Sequence, residues 1–573
     1  MLKDLPSTPA ALINWKWEEI KSHYADLAVH PLTAANADVW LTDWTRLGEK
    51  LEEMYFRLAL ANSVNTADKK AEQRLNRFLD TIFPPAMAAE QKLKEKLLAS
   101  KLEPEGFAIP LRNMRAEADL FREANLPLLA EQQKLSLEYD KIFGAQTVEW
   151  EGKEVTLTQL RTVFEEPERS KREKAWRLIA ERQLADRKAV NELWQKFMAL
   201  RAKIAANAGK PSFREYAWQQ KLRFDYTPED CKSFQKAILE VAVPAASRIY
   251  ARRRKALGVD KLCPWDLTDG WYSRPPEPPG QPVLKPFEDI DTLNRKISAI
   301  FHKVDPQLGE YFDIMLEEGL TDLENRKNKA PGAFCTSFTS LRRPFIFANS
   351  VGTHDDVMTT LHESGHAFHV FETAKVKYIQ QLSVPMEFAE VASMGMELLA
   401  SPYLTRKDGG FYTQAEAARA RVEHLERNIL FWPFMAVVDA FQHWVYENPE
   451  DGSNADKCDA KWGELWDRFI PGVDWSGLED VKATGWQRKL HIHQIPFYYV
   501  EYGLAQLGAV QIWGNALTDQ ARAVADYRKA LSLGGMVTLP ELFATAGARF
   551  AFDADTLKKA VDLMEKVIVE LEK

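Results

Sequence analysis

Cysteine is scarce in this chain: four in 573 residues, at Cys231, Cys263, Cys335 and Cys458, with no paired spacing. That excludes a disulfide framework and a Cys-rich zinc module, and it leads us to expect reduced thiols in a cytoplasmic protein. Long apolar runs are lacking too. The longest, 429–438, is broken by Pro433 and closed by Asp439. It is too short to cross a bilayer and reads as a core helix. Residues 1–18 carry neither an apolar core nor a small-residue cleavage site, which reads against a secretory signal. The net charge is −8 and no long Lys/Arg run stands out, so neither nucleic acid nor a membrane is expected as a partner. Internal repeats and low-complexity tracts are absent. The rest is ordinary for a globular protein, with 46% hydrophobic and 28% charged residues and length for two or three domains around a large core.

The patterning is mostly helical. Residues 40–61, 72–82 and 88–102 have amphipathic periodicity, separated by breaks at Pro84-Pro85 and Pro104. Residues 147–157 look strand-like and suggest a hairpin turning at Glu151-Gly152. Helical pattern returns at 166–207, and Ala208-Gly209-Lys210-Pro211 then interrupts it. This divides the chain into an N-terminal helical region, 1–207, and a second region, 208–573. Residues 274–286 hold six prolines and one glycine, which excludes a helix interior or a central strand and predicts a surface loop. Two short strands are expected at 334–338 and 344–349.

Histidine is also sparse, eleven in all, yet four fall between positions 354 and 369. Among them is His362-Glu363-Ser364-Gly365-His366. On a helix, residues i and i+4 share a face about 5–6 Å apart, so two imidazoles can hold one zinc ion with the glutamate beside the open position as general base. Thr353-x-x-Asp356 reads as a capping box ahead of this segment, and Asp355 and Asp356 suit a helix N-terminus. The motif is short enough to arise by chance, and its context argues for the helix that the chemistry requires.

A catalytic zinc needs a third protein ligand. The metzincin layout would place Gly at 369 and His at 372, where this chain has His369 and Glu372. His369, on the same straight helix, converges poorly on one ion and reads as structural. A second helix entered from Pro385 carries Glu387, Glu390 and Glu397 in otherwise apolar surroundings, where carboxylates are costly unless paired or metal-bound. Its geometry leaves both Glu387 and Glu390 open as ligands.

These residues resemble the thimet oligopeptidase and oligoendopeptidase F group of zinc metallopeptidases, most strongly the oligoendopeptidase F (Pz-peptidase) branch. The resemblance lies in the His-Glu-x-x-His helix followed by Phe388-Ala389-Glu390-Val391-Ala392-Ser393. It implies Glu390 as third ligand and Glu397 as an acid bracing a ligand histidine. A later phrase, His491-Ile492-His493-Gln494-Ile495-Pro496-Phe497-Tyr498-Tyr499-Val500-Glu501-Tyr502, resembles a family segment whose histidine and tyrosines reach over the zinc, and it matches His493, Tyr498 and Tyr502 to those positions. Lys329 to Phe338 with Pro344 to Phe347 is similar to a small sheet beside the metal helix. Ala208-Gly209 and Phe224 to Asp230 also echo the family. The likeness covers roughly residues 200–510, with a looser fit in the N-terminal third. Ser364 departs from a position that is often apolar in the family.

The resemblance implies a mostly α fold: two helical lobes flanking a deep substrate channel, with a small β-sheet near the zinc helix and 208–573 as the zinc peptidase catalytic region. It implies an endopeptidase for short peptides holding one Zn2+ per chain through His362, His366 and Glu390. Glu363 is then the general base toward zinc-bound water, and Tyr498, with His493 or Tyr502, stabilises the oxyanion. The same ligand set also suits cobalt or manganese. A zinc metallocarboxypeptidase of related helical fold, or a catalytically silent peptide-binding protein, could share this helix. An aminopeptidase is disfavoured by the lack of a Gly-x-Met-Glu-Asn stretch.

Overall fold

The computed structural model describes residues 2–160, 163–164, 166–267, 284–326, 328–330 and 332–573. Of the proline-rich 274–286 segment, positions 274–283 lie outside the described residues. The fold is mostly α-helical, with two small sheets. Backbone contacts divide the chain into two units. The first comprises Met1–Asp119, Leu284–Ala417 and Gly508–Phe550, and the second Leu120–Val283, Ala418–Leu507 and Ala551–Lys573. These units cut across a division at residue 208.

In the second unit, β1 (Thr147–Trp150) and β2 (Lys153–Thr156) form the expected hairpin. Glu151 and Gly152 turn it with φ of 50° and 78°, the two consecutive positive values that a tight two-residue turn needs. The helix Pro228–Leu257 starts at a capping box between Thr227 and Asp230 and ends at Gly258, in the left-handed region at φ 64°. The core helix expected at 429–438 is part of a longer one, Gln414–Glu447, which runs unbroken through Pro433. A helix-interior proline costs about 3 kcal/mol. Against that, Ile429, Leu430, Trp432, Met435, Val437 and Val438 are all buried, each contributing about 1.5–3 kcal/mol, so burial wins.

In the first unit, β3 (Thr321–Glu324), β4 (Phe334–Phe338) and β5 (Arg343–Ser350) form a sheet of order β3-β5-β4. β3 runs parallel to β5 and β4 antiparallel to it. The paired Phe334 and Phe347 rings stack at 4.8 Å. Lys329 ties the sheet together from inside: its buried ammonium donates to the carbonyls of Asp322, Glu324 and Ala348 and to the Asp322 carboxylate. β5 then leads through Gly352, at φ 96°, into the Thr353–Asp356 capping box and the helix His354–Glu372. A second helix, Met386–Ala400, packs against it.

Candidate metal centre

Gly365 permits the close approach of these two helices. A Cβ there would lie 2.4 Å from the Ala392 carbonyl oxygen and 2.6 Å from Ser393 Cα, both backbone atoms. A glycine in a helix costs roughly 1 kcal/mol relative to alanine; here it lets Glu390 reach the histidines. Tyr527 holds the same turn, its hydroxyl donating to the Ala392 carbonyl at 2.7 Å.

His362, His366 and Glu390 converge, with one ligand atom from each lying within 4.8 Å of the others. Glu390 Oε2 is 3.5 Å from His362 Nε2 and 3.9 Å from His366 Nε2. A tetrahedral zinc with bonds of 2.0–2.1 Å spaces its ligands by about 3.3 Å, so this donor set fits such an ion with small adjustments. The imidazoles are 24% and 23% exposed whereas Glu390 is 7% exposed, leaving one side of the trio open, as a catalytic rather than a structural metal requires. Glu387 is buried on the same helix but lies outside the trio.

The electrostatics suit a cation. Burial opposes a charge on His362, but hydrogen bonds and charges from Glu390 and Glu397 outweigh it and raise its pKa to about 10. Burial, reinforced by the charge on His362, lowers His366 to about 4. Burial would raise the Glu390 carboxyl, yet the two histidines hold it below its ordinary value. Glu390 and Glu397 flank His362 at 3.5 and 2.6 Å, so the site favours positive charge where a dication would sit. Glu397 Oε1 accepts from His362 Nδ1 at 2.6 Å, which fixes the ring and leaves Nε2 facing Glu390.

Glu363 is buried beside the trio. Burial raises its pKa to about 7, with the His362 charge opposing and Glu390 adding to the rise. The Cys335 backbone N–H of β4 donates to it, so the sheet positions this side chain. Ser364 is buried and donates to the Thr360 carbonyl. Glu372 pairs with Arg528 at 2.7 Å. His369 is buried against Phe388, and burial lowers its pKa to about 4.

The later aromatic phrase belongs to the second unit. His493 is fully buried there, among the rings of Tyr139, Trp194, Phe197 and Trp486. The histidine facing the tyrosines is His491, with ring centroids 5.9 Å from Tyr498 and 6.2 Å from Tyr502. It is half-buried, and burial with nearby Lys489 and Lys221 lowers its pKa to about 3, so it stands neutral. Tyr498 and Tyr502 meet at 5.1 Å, and Lys221 lies 5.0 Å above the Tyr498 ring. Sequence reading passed over His491, because 491 lies on the short helix Leu490–Gln494 and Tyr502 on the next, Tyr499–Ala516, with a turn at Phe497 between them.

Residues 162–562 match the profile of Peptidase family M3. The chain is similar to oligopeptidase PepF of Bacillus subtilis (strain 168), 22% identical over 340 residues, covering 58% of this chain but about half (47%) of that relative. It is also similar to the oligoendopeptidase F homolog of Mycoplasma pneumoniae (strain ATCC 29342 / M129 / Subtype 1), at 22% identity over 551 residues, 87% of this chain and 85% of that one. Among solved structures it is similar to PZ peptidase A with inhibitor 2, at 26% identity and a TM-score of 0.87, covering 98% of this chain and 99% of that one. The profile match extends over well more than half of the sequence, and the chain therefore belongs to peptidase family M3.

Proposed function

We propose that this protein is a zinc-dependent endopeptidase that hydrolyses internal bonds of short peptides. The observation that carries this reading is the open trio of His362, His366 and Glu390, with Glu363 held beside it. Zinc, when bound by the trio, supplies the Lewis acid for the scissile carbonyl and the attacking water. Glu363 accepts a proton from that water and passes it to the leaving amine. A carboxyl near pKa 7 can do both, and a bound cation would favour its ionised, accepting form. Glu397 orients His362 throughout. Tyr498 and Tyr502 are the proposed oxyanion donors. His491 is the better histidine candidate beside them, since His493 is sealed in an aromatic core. β4 pairs with β5 on one side only, and such an edge can bind an extended peptide through its main chain, independent of side-chain sequence. A cytoplasmic setting belongs to the same reading, on the scarcity and scattered spacing of the four cysteines in the sequence.

Peptides blocked by acetyl and amide groups at their ends test the endopeptidase reading. The expected outcome is internal cleavage that a chelator abolishes and zinc restores. Cleavage confined to free C-termini would establish a carboxypeptidase instead, and binding without products a silent peptide-binding protein.

A further inference from the structure

We propose that Cys231, Asp439 and His443 form a second, structural metal site in the second unit, selective for zinc-class ions. Nothing in the peptidase reading uses these residues. Cys231 lies on the helix Pro228–Leu257, and Asp439 and His443 lie on Gln414–Glu447. Asp439 and His443 are i and i+4, so they share one helical face. Gln235, four residues after Cys231, adds a fourth polar side chain from the facing helix and donates to Asp439 Oδ2 at 2.6 Å.

One ligand atom from each of Cys231, Asp439 and His443 lies within 4.8 Å of the others, the same limit met by the His362 trio. A mixed sulfur, oxygen and nitrogen set around zinc would contract to about 3.3–3.8 Å, given Zn–S near 2.3 Å and Zn–N or Zn–O near 2.0–2.2 Å.

Burial separates the two sites. Cys231 and Asp439 are 0% exposed and His443 is 2% exposed. Trp218 and Phe497 wall in the imidazole, with ring centroids at 5.8 and 5.3 Å. Inside this pocket, neither ring nitrogen of His443 has a hydrogen-bond partner among the described residues, nor does Asp439 Oδ1. His443 Nε2 stands 3.6 Å from Asp439 Oδ2, beyond hydrogen-bond reach. Buried polar atoms of this kind are rarely left unsatisfied, because each costs about 1–3 kcal/mol, and a buried carboxylate also needs a balancing charge. The nearby cations are already engaged: Arg214 and Lys232 both bind Glu447.

A dication answers these demands together. One thiolate, one carboxylate and one neutral imidazole bring its net charge to zero, with the Cys231 thiol proton released to solvent on binding. A thiolate ligand selects against magnesium and calcium, and the closed surroundings suit a structural rather than a catalytic ion. Such an ion would clamp the two long helices of the unit together.

The test uses the full-length protein, stripped of metal and reconstituted with Co2+. A thiolate–cobalt charge-transfer band in the near ultraviolet should appear, because the His362 trio contains no sulfur. Binding should saturate at two equivalents per chain. Cys231→Ser should lose the band and one equivalent while still cleaving peptides. Zinc-edge absorption of the unsubstituted zinc protein should report a sulfur neighbour near 2.3 Å, a readout that does not depend on the variant folding. A single equivalent with no thiolate band and no zinc–sulfur scattering would overturn the site, as would a band that survives in Cys231→Ser.

Discussion

Glu397 lies three residues from the C-terminal end of its helix, Met386–Ala400, and it governs how His362 presents its free nitrogen. Its 2.6 Å bond to Nδ1 fixes both tautomer and ring orientation. Replacing it with alanine is expected to weaken zinc binding about 10–100-fold, measured by competition with a chromophoric chelator. An unchanged affinity would remove Glu397 from the site. At this scale, His362, Glu363 and His366 were legible because i, i+4 spacing is a local property of a helix. Glu390 could not be separated from Glu387 by spacing, since the choice depends on how the second helix rolls against the first. The aromatic phrase misled for a related reason. The chain turns at Phe497, with φ 63°, so linear spacing across 495–498 does not report which ring faces which. His493 turned into the core, and His491 kept its place beside the tyrosines.

Between elements, the decisive contact is Gly365 against Ala392 and Ser393. Gly365→Ala gains up to about 1 kcal/mol of helix propensity, but it forces two backbones apart at a cost of about 1–3 kcal/mol. The shift falls within two residues of Glu390. A modest fall in Tm and at least a tenfold loss of zinc affinity are expected. Gly463→Ala is the control: it also sits in a helix, with no atom within 4 Å of the added methyl, and should stabilise slightly. Equal behaviour of the two variants would contradict the packing argument. Most elements were legible. The Glu151-Gly152 hairpin, the Thr353 capping box and the strands at 334–338 and 344–349 all rest on short-range turn and cap chemistry. The core helix at 429–438 was legible from its apolar run, but not its full extent, Gln414–Glu447, which carries Pro433 inside it because Trp432 and its neighbours are buried, a tertiary effect.

At the scale of the whole molecule, each unit is assembled from stretches distant in the chain, which a linear reading does not reveal. Glu49, Glu52 and Glu53 of the helix Ala37–Val64 look like an ordinary charged face in the sequence. They bind Arg342, Thr339 and Ser340 at the turn between β4 and β5, tying the N-terminal stretch to the sheet that positions Glu363. Acid should weaken the fold as a whole. Burial lowers the pKa of His493 from 6.5 to about 3, so between those values the unfolded chain binds a proton that the folded chain refuses. Its contribution is fully present above pH 6.5 and is lost as pH falls toward 3, about 3 kcal/mol by pH 4. Urea unfolding at pH 7 and pH 4.5 should show this loss, and His493→Phe should flatten the slope whatever its absolute stability. A slope unchanged in that variant would place the acid sensitivity elsewhere.

The central claim is that Glu363 performs the proton transfers at a metal held by other residues. Zinc content and peptide turnover of Glu363→Gln, measured on the same preparation, test it most directly. The expected result is a full complement of zinc at the His362 trio with turnover reduced at least about 100-fold. Cleavage at the rate of the unsubstituted protein would contradict the account.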